Sequence, residues 1–497
     1  MNLLDELLAG QDEAVALISR RGQVTYRELR SLAEAAARAL FRPGRKQLAF
    51  CFLPNTPDLV IAYLAAIAGG HAAGLFPPAT PLDRKLRLIG SYRPEIVLTV
   101  DDGLDGHLPG FGYQRMPWST DGDAAGALAA WKADPVGGLH PDLALLLSTS
   151  GSTGTPKLVR LSAANVAANA AGIATSLRLG PGCRAVTSVP LYYSYGQSIL
   201  SSHLAAGSSV VITDRSPVTP GFWRLAYEHD VVAVGGTPLL YRAVFGRRPD
   251  PELPPTVRMM TQAGGRLPMP LIRCALAWMD KTAGEFFCMY GQTEATSRIA
   301  YLDAARLADK AGSVGVALPG GQIAVGPPAV GALADVTPAD VTPADGAPGG
   351  PISYSGPNVM MGYAACREDL ARGSEVSILL TGDLGRLDRD GFLYVTGRSS
   401  RFVKVLDRRV SLDDVEEWFG STEQCAAVTA PDDAAIVVFT TGRVAALEYR
   451  RGKLALSLGA PSSSIVIRPV ADIPLTAAGK IDYAQLARLA AHPQAGI

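Results

Sequence analysis

Leu145-Leu146-Leu147-Ser148-Thr149-Ser150-Gly151-Ser152-Thr153-Gly154-Thr155-Pro156-Lys157 is the stretch from which the rest of the chain can be read. Three consecutive leucines predict the end of a buried strand. Hydroxyl residues, two glycines and a lysine follow. Small residues let a backbone pass close to a ligand, hydroxyls and free N–H groups donate, and the lysine adds a point charge. That is the chemistry of a phosphate cradle. Composition alone describes a flexible Ser/Gly/Thr linker equally well. The apolar strand directly before it, and a terminal lysine in a chain with only nine lysines, argue for the cradle.

A Walker loop reads G-x-x-x-x-G-K-[ST]. Gly151 and Lys157 have that separation, but Pro156 stands at the second glycine and Leu158 at the hydroxyl position. Proline has no N–H to give a phosphate and leucine cannot hold a magnesium ion, so this is not a Walker loop. Thr149 to Lys157 instead resembles the phosphate loop of the adenylate-forming superfamily. That superfamily takes in acyl- and aryl-CoA synthetases, adenylation domains of nonribosomal peptide synthetases and firefly-type luciferases. The resemblance implies an α/β fold, with a large layered amino-terminal domain of parallel or mixed sheets (residues 1–397). A small mobile α+β carboxy-terminal domain (residues 398–497) would follow. It implies ATP and Mg²⁺ as cofactors, with Thr149, Ser150, Gly151, Ser152, Thr153, Gly154 and Lys157 on the β- and γ-phosphates.

At 497 residues the chain needs more than one folding unit, and 48% hydrophobic with 19% charged residues supports large cores. Formal net charge is zero and no long basic run occurs, which points away from nucleic acid and anionic membranes. Residues 59–76 are the most membrane-like, but Gly69, Gly70 and His71 interrupt them; a buried helix and a strand are expected, and no membrane span. The start lacks a basic n-region and reads as a helix. Six scattered cysteines, with no Cys-x-x-Cys pair, fit reduced core residues of a cytoplasmic protein. Six histidines without ligand spacing argue against a zinc site.

Along the chain, Thr25 and Glu28 form a capping box for a helix continuing through Leu29, Leu32, Ala33 and Ala36. Strands are expected over residues 47–53 and 72–77, with a helix opening at Asn55-Thr56-Pro57-Asp58. This alternation predicts a layered α/β domain. Residues 101–140 read as irregular. A helix over residues 162–177 is capped by Ser162. In Pro190-Leu191-Tyr192-Tyr193-Ser194-Tyr195-Gly196, residues Tyr192, Tyr193, Tyr195 and Gly196 are candidate substrate-pocket residues, and ordinary packing explains each tyrosine equally well. Amino-acid-activating relatives carry an aspartate near here for the substrate ammonium. Residues 190–204 contain no acid, so a carboxylic acid without an α-amine is favoured.

Four later segments complete the resemblance. The apolar strand from Met259 runs into Gly264-Gly265, which by the family pattern would meet the adenine edge. Tyr290-Gly291-Gln292-Thr293-Glu294 offers an aromatic ring for a purine, a hydroxyl for phosphate and a carboxylate for Mg²⁺. Leu379-Leu380-Thr381-Gly382-Asp383 reads as a strand ending in an acid, and Asp383 with Arg398 would hold ribose. Lys480, in Thr476-Ala477-Ala478-Gly479-Lys480, resembles the lysine that reaches the acyl-phosphate centre. Val410-Ser411-Leu412-Asp413-Asp414-Val415-Glu416 reads as the start of a helix. The repeat Asp335-Val336-Thr337-Pro338-Ala339/Asp340-Val341-Thr342-Pro343-Ala344 reads as a mobile surface loop.

The hinge departs from the family. Ser400 replaces the usual aspartate, and Asp407 stands where a glycine lets a pantetheine arm pass. Leu406 replaces the second lysine of luciferases, against light emission. The reading is an enzyme that activates an aryl or alkyl carboxylic acid as its adenylate, then transfers it to the thiol of CoA or of an acyl-carrier protein's phosphopantetheine. The alternatives are an enzyme that stops at the adenylate or uses a non-thiol acceptor, and a non-catalytic relative.

Overall fold

The computed structural model describes residues 3–491 apart from 101, 117, 119–128, 149–156, 247–250, 327–348, 399–400, 406–407, 419–424, 431–434, 442–446, 459–460 and 477–479. The phosphate loop from Thr149 to Gly154, the hinge residues Ser400, Leu406 and Asp407, and the 335–344 repeat therefore lie outside the described residues. What is described is a mixed α/β molecule with a large layered body and a small carboxy-terminal part.

Two large sheets dominate. One has nine strands, and its inner members Ala233–Gly236, Met259–Gln262 and Glu285–Tyr290 run parallel. The other has eight, with Leu48–Phe52, Ala72–Leu75 and Leu143–Ser148 parallel at its centre. The helices Tyr26–Leu40, Pro57–Ala68, Ala163–Ser176 and Ser194–Ala205 fill the space between the sheets and share one apolar core with both. Helices Pro220–Glu228, Pro238–Phe245 and Met269–Lys281 cover the outer face of the first sheet, and Leu82–Tyr92 covers the second. A sheet buried on both faces needs near-continuous apolar strands. Leu145, Leu146 and Leu147 satisfy that requirement and are almost wholly buried.

Local signals explain the helix starts. Thr25 accepts from Glu28 N while the Glu28 carboxylate accepts from Thr25 N, closing the capping box. Ser162 caps the next helix with Asn165 in the reciprocal role. The helix Pro57–Ala68 has proline at its first position and is buried all round, as its composition requires. Among the described residues no helix is long and apolar enough to cross a membrane.

Three expectations are corrected. Residues 101–140 are not irregular throughout: Gln114–Met116 and Ala129–Lys132 pair antiparallel and edge the second sheet. These strands are short and an edge needs little apolar alternation, so the pattern is faint. Val410 and Ser411 belong to the strand Arg408–Ser411, and the helix begins at Leu412. Asp383 does not end its strand: Leu379–Leu387 continues past it, with Gly382 at φ +75° and a bulge between Leu384 and Gly385. The bulge re-aims the side chains, which hides the strand's length from a two-residue period.

The small part contains the hairpin of Phe402–Val405 with Arg408–Ser411 and a three-stranded sheet of Cys425–Thr429, Ile436–Thr440 and Ile465–Pro469. Its own apolar clusters include Val415, Val438, Leu454 and Ile465. All six cysteines are thiols outside any disulfide.

Two buried histidines set an acid limit on stability. Burial pushes His71 and His203 down to about 4, with Lys46 adding to the effect on His71. Neutral His71 accepts from Gln47 N at 3.1 Å. The folded values lie below the ordinary value of about 6.5, so the unfolded chain binds more protons between those limits and stability falls as pH falls through the window. Each contributes at most roughly 3 kcal/mol. Thermal melting should drop from pH 7 to pH 5.5, above the carboxylate range; an unchanged midpoint there would sink the assignment.

Candidate active site

The strands Met259–Gln262 and Glu285–Tyr290 deliver two family segments to one edge of the first sheet. Gly264 has φ +84°, and a Cβ placed on it would lie 3.4 Å from Thr237 Cγ2 and 3.5 Å from Lys480 Cε. The turn thus needs a glycine for its backbone, and Lys480 lies over it at van der Waals distance. Gly265 packs on Pro238 and accepts from Gln262 Nε2 through its carbonyl at 2.5 Å.

Beyond Tyr290 the chain turns sharply. A Cβ on Gly291 would meet Ser297 O at 2.0 Å and Arg298 Cα at 2.7 Å. Gln292 precedes the single 3₁₀ turn Thr293–Ala295, and Thr296 follows at φ +61°, a costly region for a β-branched residue. Asn358 holds that turn: its Nδ2 donates to Ala295 O (2.9 Å) and Arg298 O (2.7 Å), and its carbonyl accepts from Thr296 Oγ1 (2.7 Å). Met360 N donates to Glu294 O at 2.9 Å, which ties the segment from Tyr354 to Tyr363 to the turn that carries the carboxylate. Tyr363 OH donates to Glu294 Oε1 at 2.7 Å. Thr293 Oγ1 lies 3.3 Å from Ser194 Oγ at the start of the helix Ser194–Ala205.

The third group comes from the antiparallel strands Leu379–Leu387 and Leu393–Arg398, where Asp383 and Arg398 stand directly opposite each other. Arg398 Nε lies 3.0 Å from Asp383 Oδ1, and Tyr290 OH donates to Asp383 Oδ2 at 2.6 Å. Asp383 is 4% exposed. Burial and the Asp383 carboxylate push the Tyr290 hydroxyl well above its ordinary pKa, so it stays a donor.

Lys480 arrives from the small part on a hairpin closed by the Leu475–Ile481 bridge, with Thr476 N donating to Lys480 O at 2.7 Å. Burial and the nearby charge of Arg398 lower its pKa, Arg298 adds to this, and Glu294 and Asp383 oppose it. Segments as far apart as Gly264, Glu294, Asp383, Arg398 and Lys480 therefore meet. Lys157 is exposed, immediately before the strand Leu158–Ser162.

The pocket candidates divide. Tyr192 and Tyr193 are half-buried and contact each other edge-on, with ring centres 4.8 Å apart. Tyr195 is buried, donates to Thr261 O at 2.8 Å, and lines a small internal cavity. Gly196 has no open face: a Cβ there would lie 2.2 Å from Pro190 O, so this glycine lets its helix pack on the backbone before it. Sequence reading missed Tyr363, which orients Glu294, and Arg298, eight residues beyond Tyr290. An isolated arginine between Ser297 and the apolar Ile299-Ala300 was the available signal.

Residues 4–364 match the family described as AMP-binding enzyme. A 2-succinylbenzoate–CoA ligase of Bacillus velezensis is 28% identical over 405 residues, covering 79% of this chain and 76% of the relative. A feruloyl-CoA synthase of an Amycolatopsis species is 30% identical over 436 residues, covering 82% and 81%. The solved O-succinylbenzoate coenzyme A synthetase (MenE) of Bacillus subtilis, in complex with ATP and magnesium ion, shares the fold. Its TM-score is 0.74 at 22% identity, over 98% of this chain and 99% of that one. With a family match over most of its length, the chain belongs to the AMP-binding enzymes.

Proposed function

We propose that this protein is an acid–thiol ligase that activates a carboxylic acid lacking an α-amine as its acyl-adenylate, with release of pyrophosphate, and passes the acyl group to coenzyme A. The observation that carries the reading is Lys480 seated over Gly264 in the field of Glu294 and Asp383. Two relatives named as CoA ligases support the acceptor. A carrier-protein phosphopantetheine is the second acceptor the chemistry allows. Six reduced cysteines suit a reducing cytoplasm, where we place the reaction.

In this reading the substrate carboxylate attacks the α-phosphorus of ATP, the bond to the bridging oxygen breaks and pyrophosphate leaves. Charge builds on the phosphoryl oxygens, so catalysis is positioning and electrostatics. Lys480 neutralises charge between the carboxylate and the α-phosphate. Asp383 and Arg398 hold the ribose hydroxyls, Tyr290 with Gly264 and Gly265 borders the adenine, and Gly291 and Gln292 shape the turn before Thr293. Thr293 donates to phosphate, and the loop from Thr149 to Lys157 steadies the leaving group.

Glu294 fits a magnesium ion. It offers a hard oxygen donor fixed by Tyr363, and among the described residues no group of three or more His, Cys, Asp or Glu could form an all-protein cage. Magnesium retains water and takes phosphate oxygens alongside one or two carboxylates, which is the donor set this arrangement leaves. When bound it would offset the phosphate charge.

We assign Lys480 to a small domain, residues 398–497, that turns about Ser400 to withdraw the lysine and admit the thiol to the adenylate held by residues 1–397. Carboxylate-dependent ATP–pyrophosphate exchange tests the first half-reaction, and CoA-dependent release of AMP tests the second. Exchange without CoA-dependent release would restrict the enzyme to adenylate formation or to another acceptor, and absence of both with a panel of aryl and alkyl acids would refute the reading.

A further inference from the structure

Arg398 and Lys480 reach the site on segments far apart in sequence. Three residues beyond each stands a residue that the chemistry above does not use, Arg401 after Arg398 and Tyr483 after Lys480. These two meet: the Arg401 guanidinium lies 3.9 Å from the centre of the Tyr483 ring. Glu416, on the helix Leu412–Trp418, joins both. Its Oε1 accepts from Arg401 Nη2 at 2.6 Å and from Ala427 N at 2.8 Å, and its Oε2 accepts from Tyr483 OH at 3.0 Å. Asp413 on the same helix pairs with Arg401 Nε, and Arg401 Nη1 donates to Ala427 O at 3.4 Å.

Such a cluster is a poor way to gain stability. The Arg401 and Glu416 side chains are largely withdrawn from water, and replacing a buried ion pair by apolar groups is often neutral or stabilising. The small part already has apolar clusters of its own to hold it together. What the ionic cluster adds is direction. A guanidinium stacked on a ring, with a carboxylate accepting three hydrogen bonds, allows one arrangement where apolar packing tolerates several. Burial and the Glu416 carboxylate raise the Tyr483 hydroxyl above its ordinary pKa, so it remains a donor. Tyr483 in turn fixes the hairpin before it. Asp482 N donates to Pro474 O at 2.9 Å and Thr476 N to Lys480 O at 2.7 Å, so the two limbs move together.

We propose that Arg401, Glu416 and Tyr483 are positioning residues that set Lys480 against Arg398 in the adenylating arrangement, by tying their two segments together behind the site. The proposal rests on the adenylating reading. Arg398 and Lys480 are like charges that oppose each other, so sharing one site requires a tie from outside it. In the turn about Ser400 proposed above, Arg401 is the first residue beyond the pivot. The tie therefore travels with Lys480 and decides where the lysine lands when the small domain closes. None of the three residues touches substrate.

The test is a double-mutant cycle of Tyr483→Phe and Lys480→Ala in ATP–pyrophosphate exchange, with the best acid from a panel of aryl and alkyl carboxylic acids. Tyr483→Phe keeps the ring against Arg401 and removes only the hydroxyl. It should lower kcat about tenfold and leave KM for ATP within about threefold, because the lysine acts on charge that develops in the transition state. In the Lys480→Ala background the same substitution should change exchange by less than about twofold, since nothing remains for it to position. Arg401→Met should lose about a hundredfold with the same dependence on Lys480, and Arg401→Lys should recover part of it. Melting curves report whether Arg401→Met folds, and Tyr483→Phe decides the matter if it does not. Equal losses with and without Lys480 would show that the cluster only holds the small part together, and would overturn the proposal. So would Tyr483→Phe exchanging within about threefold of wild type. Either result leaves the adenylating reading intact, whereas wild-type protein that exchanges with no acid at all removes both.

Discussion

Lys480→Ala should lower carboxylate-dependent ATP–pyrophosphate exchange by ~10²–10³ without lowering thermal stability. The size follows from removing one preorganised cation from a place where phosphoryl charge develops. The stability claim follows from the sign of the lysine's own shift. Burial and the charges of Arg398 and Arg298 lower its pKa, so the site disfavours the ammonium in the absence of substrate. Deleting the group removes an unfavourable interaction from the resting protein. The same shift brings the alkaline fall in exchange to lower pH than an ordinary lysine would give: activity is present while the ammonium is protonated and is lost as pH rises through its pKa. Lys480→Arg, which remains charged at every accessible pH, should abolish that limb whatever its absolute rate. Near-normal exchange in Lys480→Ala would refute the role.

The contrast between Lys480 and Arg298 explains what could be read from the chain. Lys480, Glu294, Asp383 and Arg398 sit in short segments whose residue types announce their chemistry, and their order along the chain supplies the rest. Their convergence requires strands to place them: Asp383 faces Arg398 only because two antiparallel strands pair in that register. The layered core was legible for a related reason. Thr25 with Glu28, and Pro57 before an alanine-rich run, are local signals that the surrounding packing does not contradict. For Arg298 the only signal was a lone arginine before the apolar Ile299-Ala300, which announces no chemistry. Its place near Lys480 follows from burial, and burial depends on helices and strands distant in sequence. The strand through Asp383 was misjudged because a glycine at positive φ and a bulge break the two-residue period on which a strand is recognised.

Gly291→Ala should cost more activity than its single added methyl suggests. The new Cβ would stand 2.0 Å from Ser297 O and 2.7 Å from Arg298 Cα, and both neighbours are backbone with no side-chain rotamer to yield. Ile299 N donates to Tyr290 O at 2.8 Å across the base of the turn, so the two limbs cannot separate without loosening that bond. Relieving the clash needs a shift of about 1 Å, and overpacking of this kind costs typically about 1–3 kcal/mol of stability. The turn also carries Thr293 and Glu294 on one side and Arg298 on the other. A displacement of about 1 Å at reacting groups can cost ~10² in rate, so exchange should fall about a hundredfold in protein that is still folded at 25 °C. Gly110→Ala is the matched control: a Cβ there meets nothing within 4 Å, and its effect should stay within about 0.5 kcal/mol. Thr293 and Glu294 are displaced together, so kcat and KM should both move in Gly291→Ala. A variant that melts lower but exchanges within about threefold of wild type would show that the turn adjusts away from the site, and the close approach at Gly291 would then be a matter of packing alone.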